Sequence, residues 1–285
     1  MIKSFALLVL ALIFSSSAVF SQPMPQLGIA SSMENDAILY ESGFRLIGET
    51  VGKLLSPKIS NEQILQNRSS LKQMHCQVYM CNSFFPGDLK IAGDEVDELR
   101  VLTYADTVFS RAAQLGIEAI VLGSGGSRKL PEGYDVQKAE AAFTKLAGKM
   151  AVLAKPYGVK IFLEALNSTE TNFITTLQQA ARIVRAVNHP NFRLNADIYH
   201  MLKENESPQH IVDAGNLIEY CEIAEKEERT YPGFKGDDFV PYLKALKKIK
   251  YSGHIFIEGR WTDLKVEAPL AKAYLEKQLK LAYQD

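Results

Sequence analysis

The chain has 285 residues, of which 47% are hydrophobic and 23% charged, and its formal charge is −1. That length suits one large domain or two small ones, and no Gly/Ser/Pro linker divides it. The near-neutral balance leaves no basic field for nucleic acid or an anionic membrane surface, so a small neutral or weakly charged ligand is expected.

Residues 1–21 read as a signal peptide. Lys3 supplies the positive start, 5–14 the apolar core, and 15–21 a small-residue region with Val19 and Ser21 at the −3 and −1 positions of a cleavage site. About ten apolar residues are too few to span a bilayer. No cysteine follows the cleavage point to carry a lipid anchor. The expectation is an exported, soluble protein, periplasmic or secreted, whose mature chain begins at Gln22 and carries a charge of about −2.

The first strand is predicted at 26–31, with a helix from about 34 that stops at Gly43, where glycine accepts the left-handed helix-ending conformation. A second strand, 44–49, ends in Glu49. A helix at 61–74 leads to a third strand, 77–82, ending in Asn82, and to the loop 84–88. Apolar residues Val96, Leu99, Leu102, Ala105, Val108 and Phe109 recur at helical spacing in 94–115, which stops at Gly116. The fourth strand, 118–122, runs into Gly123-Ser-Gly-Gly126, glycines that either admit a ligand close to the backbone or make the turn.

A long amphipathic helix, 136–157, feeds a fifth strand, 159–164, ending in Glu164. A helix at 175–187 is closed by Asn188-His-Pro190, because proline cannot continue it. The sixth strand, 192–197, presents Asp197 and then opens into a loop carrying His200. The seventh, 217–224, contains Glu222 and is followed by the polar loop 225–233. A helix at 237–248 precedes the last strand, 254–258, which ends in Glu258, and a helix at 269–283 closes the chain. Cys76 and Cys81 bracket one strand, roughly 16 Å apart in extended chain and beyond disulfide reach. Cys221, next to Glu222, faces the other side of the sheet. All three are expected to be buried free thiols.

Eight near-continuous apolar strands, each followed by a helix or a long polar connection, predict a parallel sheet covered by helices. The predicted fold is a single-domain (β/α)8 TIM barrel over 22–285, with its ligand site at the C-terminal strand ends. Four acids there, Glu164, Asp197, Glu222 and Glu258, would repel one another unless a cation joins them. The other reading pairs each with a neighbouring base, Arg193, Arg229, Arg260 or Lys226. Oxygen ligands select a hard divalent cation, Mn²⁺ or Mg²⁺ before Zn²⁺. Such a site suits removal of a proton next to a carbonyl, with a carboxylate as base.

The segments Leu163-Glu-Ala-Leu-Asn167, Asn195-Ala-Asp-Ile-Tyr-His-Met201 and Phe256-Ile-Glu-Gly-Arg-Trp261 resemble the strand-five, strand-six and strand-eight motifs of the sugar phosphate isomerase/epimerase family. That family belongs to the xylose-isomerase-like barrels. Phe85-Pro-Gly-Asp-Leu-Lys90 and Gly123-Ser-Gly-Gly126 are similar to it too, so the resemblance spans nearly the whole mature chain. It implies Glu164, Asp197 and Glu258 as metal ligands, with Glu164 and Glu258 the acid/base pair. It also implies His200 and Arg229 as substrate contacts, and Glu49, Asn82, Arg260 and Trp261 join them as substrate-side candidates. Trp261 is either a sugar-stacking platform or packing under its loop. In strand seven the family's ketose epimerases present a histidine ligand, and this chain has Glu222, which hardens the site and adds negative charge.

The leading reading is an exported, divalent-metal-dependent carbohydrate isomerase or epimerase working through a metal-bound enediolate, on a non-phosphorylated sugar or glycoside. A lyase or dehydratase eliminating across a keto-sugar or 3-keto-glycoside would use the same groups. A sugar-binding protein without catalysis is the reading from another class. A barrel endonuclease would need several zinc-binding histidines, and only His200 stands at a strand end. An apolar helix face could support a homodimer.

Overall fold

The computed structural model describes residues 22–284, so the predicted signal peptide at 1–21 lies outside the described residues. Eight strands pair in parallel and in sequence order: β1 (Gln26–Ala30), β2 (Leu46–Thr50), β3 (Gln77–Asn82), β4 (Ala119–Leu122), β5 (Lys160–Glu164), β6 (Phe192–Asp197), β7 (Ile218–Ile223) and β8 (His254–Ile257). β8 also pairs with β1, which closes the (β/α)8 barrel.

Each strand buries both faces, and that is why its sequence is nearly all apolar. Ile120, Leu122, Ile161 and Leu163 pack against the helical layer, whereas Ala119, Val121 and Phe162 join Leu46, Met80, Tyr220 and Phe256 in a separate cluster inside the barrel. The Phe162 and Tyr220 rings stack there with centroids 5.1 Å apart. Glycine in two strands makes room for this plug: a Cβ on Gly28 would lie 2.5 Å from the Phe256 ring, and one on Gly48 would lie 2.3 Å from Met80 Cε.

The helices follow local signals. Asp97 accepts the Arg100 N–H at the start of Glu98–Leu115, and Gly116, at φ 72°, ends it. Asp135 caps Val136–Ala154 in the same way. The structure differs from the sequence reading around the site and at the last helix. The C-terminal helix is Leu264–Tyr283, begun by Asp263, which accepts the Lys265 and Val266 N–H groups; Pro269 sits inside it and forgoes only the bond to the Lys265 carbonyl. The glycine-rich turn after β4 winds into one helical turn, Gly125–Arg128. The chain leaving β6 enters a helix, Ile198–Lys203, instead of a loop. Among the described residues the three cysteines are free and buried, and no helix is long and apolar enough to cross a membrane.

Candidate functional site

The C-terminal strand ends bring Glu164, Asp197, Glu222 and Glu258 together, each offering an oxygen within 4.8 Å of the others. Strand register explains the convergence: Glu164 pairs with Asn195, and Asp197 pairs with Glu222, so neighbouring strands deliver their polar ends at one level. A cavity of about 400 Å³ opens above, with Glu164, Glu258, Asn82 and Arg229 in its wall.

Each acid is aimed by a different device. Asp197 caps the helix Ile198–Lys203, its Oδ1 accepting the His200 N–H at 3.2 Å, while its buried Oδ2 has no hydrogen-bond partner. Glu164 stands over Gly123, where a Cβ would fall 2.3 Å from Oε2, so only glycine leaves the carboxylate its place. Behind it, the fully buried Arg128 donates to the Glu164 carbonyl at 2.7 Å and to the Ile174 carbonyl at 3.2 Å. Glu222 is fully buried on the barrel plug, accepting from Asn195 Nδ2 and, at 3.4 Å, from the Tyr220 hydroxyl. Glu258 accepts from Asn82 Nδ2 at 2.8 Å and from the Arg229 guanidinium, whose Nε also donates to the Glu258 carbonyl at 3.0 Å.

Charge is badly balanced here. Burial raises the pKa of Glu164, and burial together with the facing carboxylates pushes Glu222 well above the usual range. Burial likewise lifts Glu258, against the pull of Arg229, to about 7. Arg229 is the single cation in the cavity wall, and Glu258, Asp197 at 3.8 Å and Glu170 at 3.7 Å share it.

His200 is buried, with Nε2 3.3 Å from Glu164 Oε1 and 3.6 Å from Asp197 Oδ2. Burial disfavours its charge, but Asp197 and Glu164 outweigh that and raise its pKa. Its other nitrogen tells against an imidazolium. Nδ1 accepts the Asn167 backbone N–H at 3.0 Å, which a protonated Nδ1 could not do, so the geometry supports a neutral ring with its proton on Nε2.

Other candidate residues stand apart from the acid cluster. Glu49 accepts the Met33 and Thr50 N–H groups at 3.0 and 2.8 Å and lies 3.5 Å from Lys53; it does not line the cavity. Trp261 lies flat on Tyr231, centroids 5.5 Å apart, which places it as packing under the loop after β7. Arg260 is exposed and held by its backbone, its N–H donating to the Arg229 carbonyl at 2.7 Å. The base-pairing reading also fails for most acids: Arg193 pairs with Glu219 at 2.7 Å, and Lys226 bonds Asn205 at 2.9 Å, both away from the cluster. Sequence reasoning did not single out Asn195, Glu170, Arg128 or Tyr220. Asn195, two residues before Asp197 and hence on the same strand face, was the one with a readable signal.

Four clustered carboxylates, one of them with an orphaned buried oxygen, form a donor set that fits a hard divalent cation. Glu164, Asp197, Glu222 and Glu258 would hold it. Fold and mouth thus define a (β/α)8 barrel with a cluster of four carboxylates able to hold a cation, two of them, Glu164 and Glu258, lining one cavity. The chain belongs to the xylose isomerase-like TIM barrel family, whose model matches residues 37–281.

Among its relatives, a ketose 3-epimerase of Arthrobacter globiformis is 34% identical over 113 residues, 39% of either chain. The matched segment therefore spans about two fifths of that enzyme's length. A 3-dehydro-D-guloside 4-epimerase of Escherichia coli is 26% identical over 191 residues, 64% of this chain and 71% of the relative. The crystal structure of an E. coli 3-keto-D-glucoside 4-epimerase superposes with a TM-score of 0.74 at 21% identity, covering 89% of this chain and 99% of that one.

Proposed function

We propose that this barrel is a divalent-metal-dependent isomerase or epimerase of uncharged carbohydrates, moving a proton between Glu164 and Glu258. The observation that carries the reading is the pairing of these two carboxylates, from β5 and from the end of β8, on one cavity, where Asp197 and Glu222 complete a cluster able to hold a cation. When bound, the cation, Mn²⁺ or Mg²⁺, polarises a substrate carbonyl and makes the neighbouring C–H more acidic. One carboxylate takes that proton, leaving an enediolate, and the other returns a proton to the neighbouring carbon or to the opposite face. Asn82 and Arg229 hold Glu258 in place, the glycine at 123 leaves Glu164 free to approach, and His200 Nε2–H faces the Glu164 carboxylate at 3.3 Å.

The cavity's charge narrows the substrate. Glu164, Glu170 and Glu258 line it, and its lone cation is already shared among carboxylates, so a phosphate or carboxylate group would find no counter-charge. Free ketoses and 3-keto-glycosides, the kinds of molecule named for the relatives, meet that requirement. The 1–21 segment supports export, which removes the protein from cytoplasmic sugar phosphates.

The test is incubation of the Mn²⁺- or Mg²⁺-loaded protein with free ketoses and 3-keto-glycosides in D₂O. Deuterium entering at the carbon beside the carbonyl, in a product of otherwise unchanged composition, is the expected result. An unsaturated keto product that has lost a substituent would identify elimination instead. Tight sugar binding with neither exchange nor metal uptake would leave a binding protein.

A further inference from the structure

We propose that Glu225 is a positioning residue for this site: it anchors the loop after β7 so that Arg229 is delivered onto Glu258. Its link to turnover rests on the proton-transfer reading above; the anchoring itself does not.

Glu225 is fully buried two residues beyond β7. A buried carboxylate needs compensation, and here it comes from N–H and O–H donors. Oε1 accepts from the backbone N–H of Gly233 at 2.8 Å, Gly236 at 2.8 Å and Asp237 at 3.3 Å. Oε2 accepts from the Lys235 N–H and, at 3.0 Å, from the Thr230 hydroxyl. All five partners donate, so the side chain serves only as acceptor, and every donor belongs to the loop.

The loop needs such an anchor because its backbone is strained where it matters. Glu228 and Arg229, neither of them glycine, lie at φ 58° and 55°, in the left-handed region that side chains disfavour. That kink turns Arg229 inward: its Nε meets the Glu258 carbonyl at 3.0 Å, its guanidinium meets the Glu258 carboxylate, and its carbonyl accepts the Arg260 N–H at 2.7 Å. The outer half of the loop is pinned separately, by the Tyr274 hydroxyl on the Asp237 carbonyl at 2.8 Å and by Trp261 against Tyr231. Between that fixed half and β7, Glu225 is the buried joint. A carboxamide in its place would turn an N–H₂ group toward one set of N–H donors, and the kinked segment would relax.

The experiment compares wild type with Glu225→Gln as full protein loaded with diamagnetic Mg²⁺. The Arg229 Nε–H resonance is assigned by its disappearance in Arg229→Lys, and trypsin cleavage after Lys226 and Lys235 is followed in parallel. The expected result is a slowly exchanging Arg229 Nε–H in wild type that is lost in Glu225→Gln, with the loop newly cleaved and the remaining amide spectrum preserved. On a substrate that turns over, kcat/KM falls about tenfold or more in Glu225→Gln, and the same substitution adds nothing once Arg229→Ala is present. A protected Arg229 signal in Glu225→Gln, or losses that multiply in the double variant, overturns the proposal. If Glu225→Gln does not fold, Thr230→Val, which removes one donor, must show the same changes in smaller measure, and an unchanged Arg229 signal there overturns it equally. Absence of any turnover would sink the functional reading while leaving the resonance and cleavage results to decide the anchor.

Discussion

The same three strands carry charge at both ends, and the two ends are treated oppositely. At the N-terminal end of the barrel, Lys160 of β5 and Arg193 of β6 both pair with Glu219 of β7, so one acid has two cations. At the C-terminal end, Glu164, Asp197 and Glu222 of those strands cluster with Glu258, and the one guanidinium there, Arg229, reaches only Asp197 and Glu258 of the four. At one end the acid has cations to spare, and at the other the carboxylates outnumber their cation and call for protons or a bound metal. The unmatched end is the one with the cavity.

Glu164→Gln or Glu258→Gln would break the comparison most severely. Each keeps the shape and removes a proton carrier, and turnover is expected to fall about 10²–10⁴-fold with an unchanged circular dichroism spectrum. Wild-type activity in either variant sinks the assignment. Glu222→His probes the metal directly: metal analysis of protein purified without chelator should show preference moving from Mn²⁺ or Mg²⁺ toward zinc, by about 10–100-fold in relative affinity. No change would place Glu222 outside the ligand set. Chelation of a site filled to about a hundred times its Kd should lower the melting temperature by roughly 5–10 °C.

The pH dependence of the chelated protein sharpens the contrast further. Glu258 rises from an ordinary 4.5 to about 7 on folding, so between those values the native state holds more protons than the unfolded one. Its contribution to stability is therefore greatest below the unfolded pKa and declines as pH rises through the folded pKa. Melting temperature should fall as pH is raised across that window, and added metal should flatten the slope; a rise with pH contradicts the crowding of acids. The smallest effect belongs to the matched end. Glu219→Ala removes partly exposed ion pairs and should cost about 1 kcal/mol or less, with catalysis untouched.

Much of this was legible in the sequence, for a definite reason. A parallel barrel buries both faces of every strand, so an apolar run broken by a polar residue at its C-terminal end announces both the strand and the site. Glu164, Asp197, Glu222 and Glu258 stand out that way, and the strand register brings them together. What escaped depends on geometry that periodicity does not encode. Glu49 looks like another strand-end acid, but its oxygens are taken by the Met33 and Thr50 amides. Trp261 reads equally as a platform or as packing, and its stack on Tyr231 depends on a loop position that spacing does not encode. Arg128 and Glu225 read as ordinary loop charges, because their partners are backbone groups whose location exists only after folding. The last helix begins at Leu264 and not at Pro269, because Asp263 caps it and a proline within its first turns costs one backbone bond.

The aromatic and aliphatic plug inside the barrel has a kinetic meaning. With Met80, Phe162, Phe256 and Tyr220 sealing the floor, a proton lifted in the proposed reaction would leave by the same opening through which the substrate enters. Isotope washout and product departure then share one doorway. The ratio of solvent label retained to label lost in each turnover would time proton exchange through that opening against departure of the product.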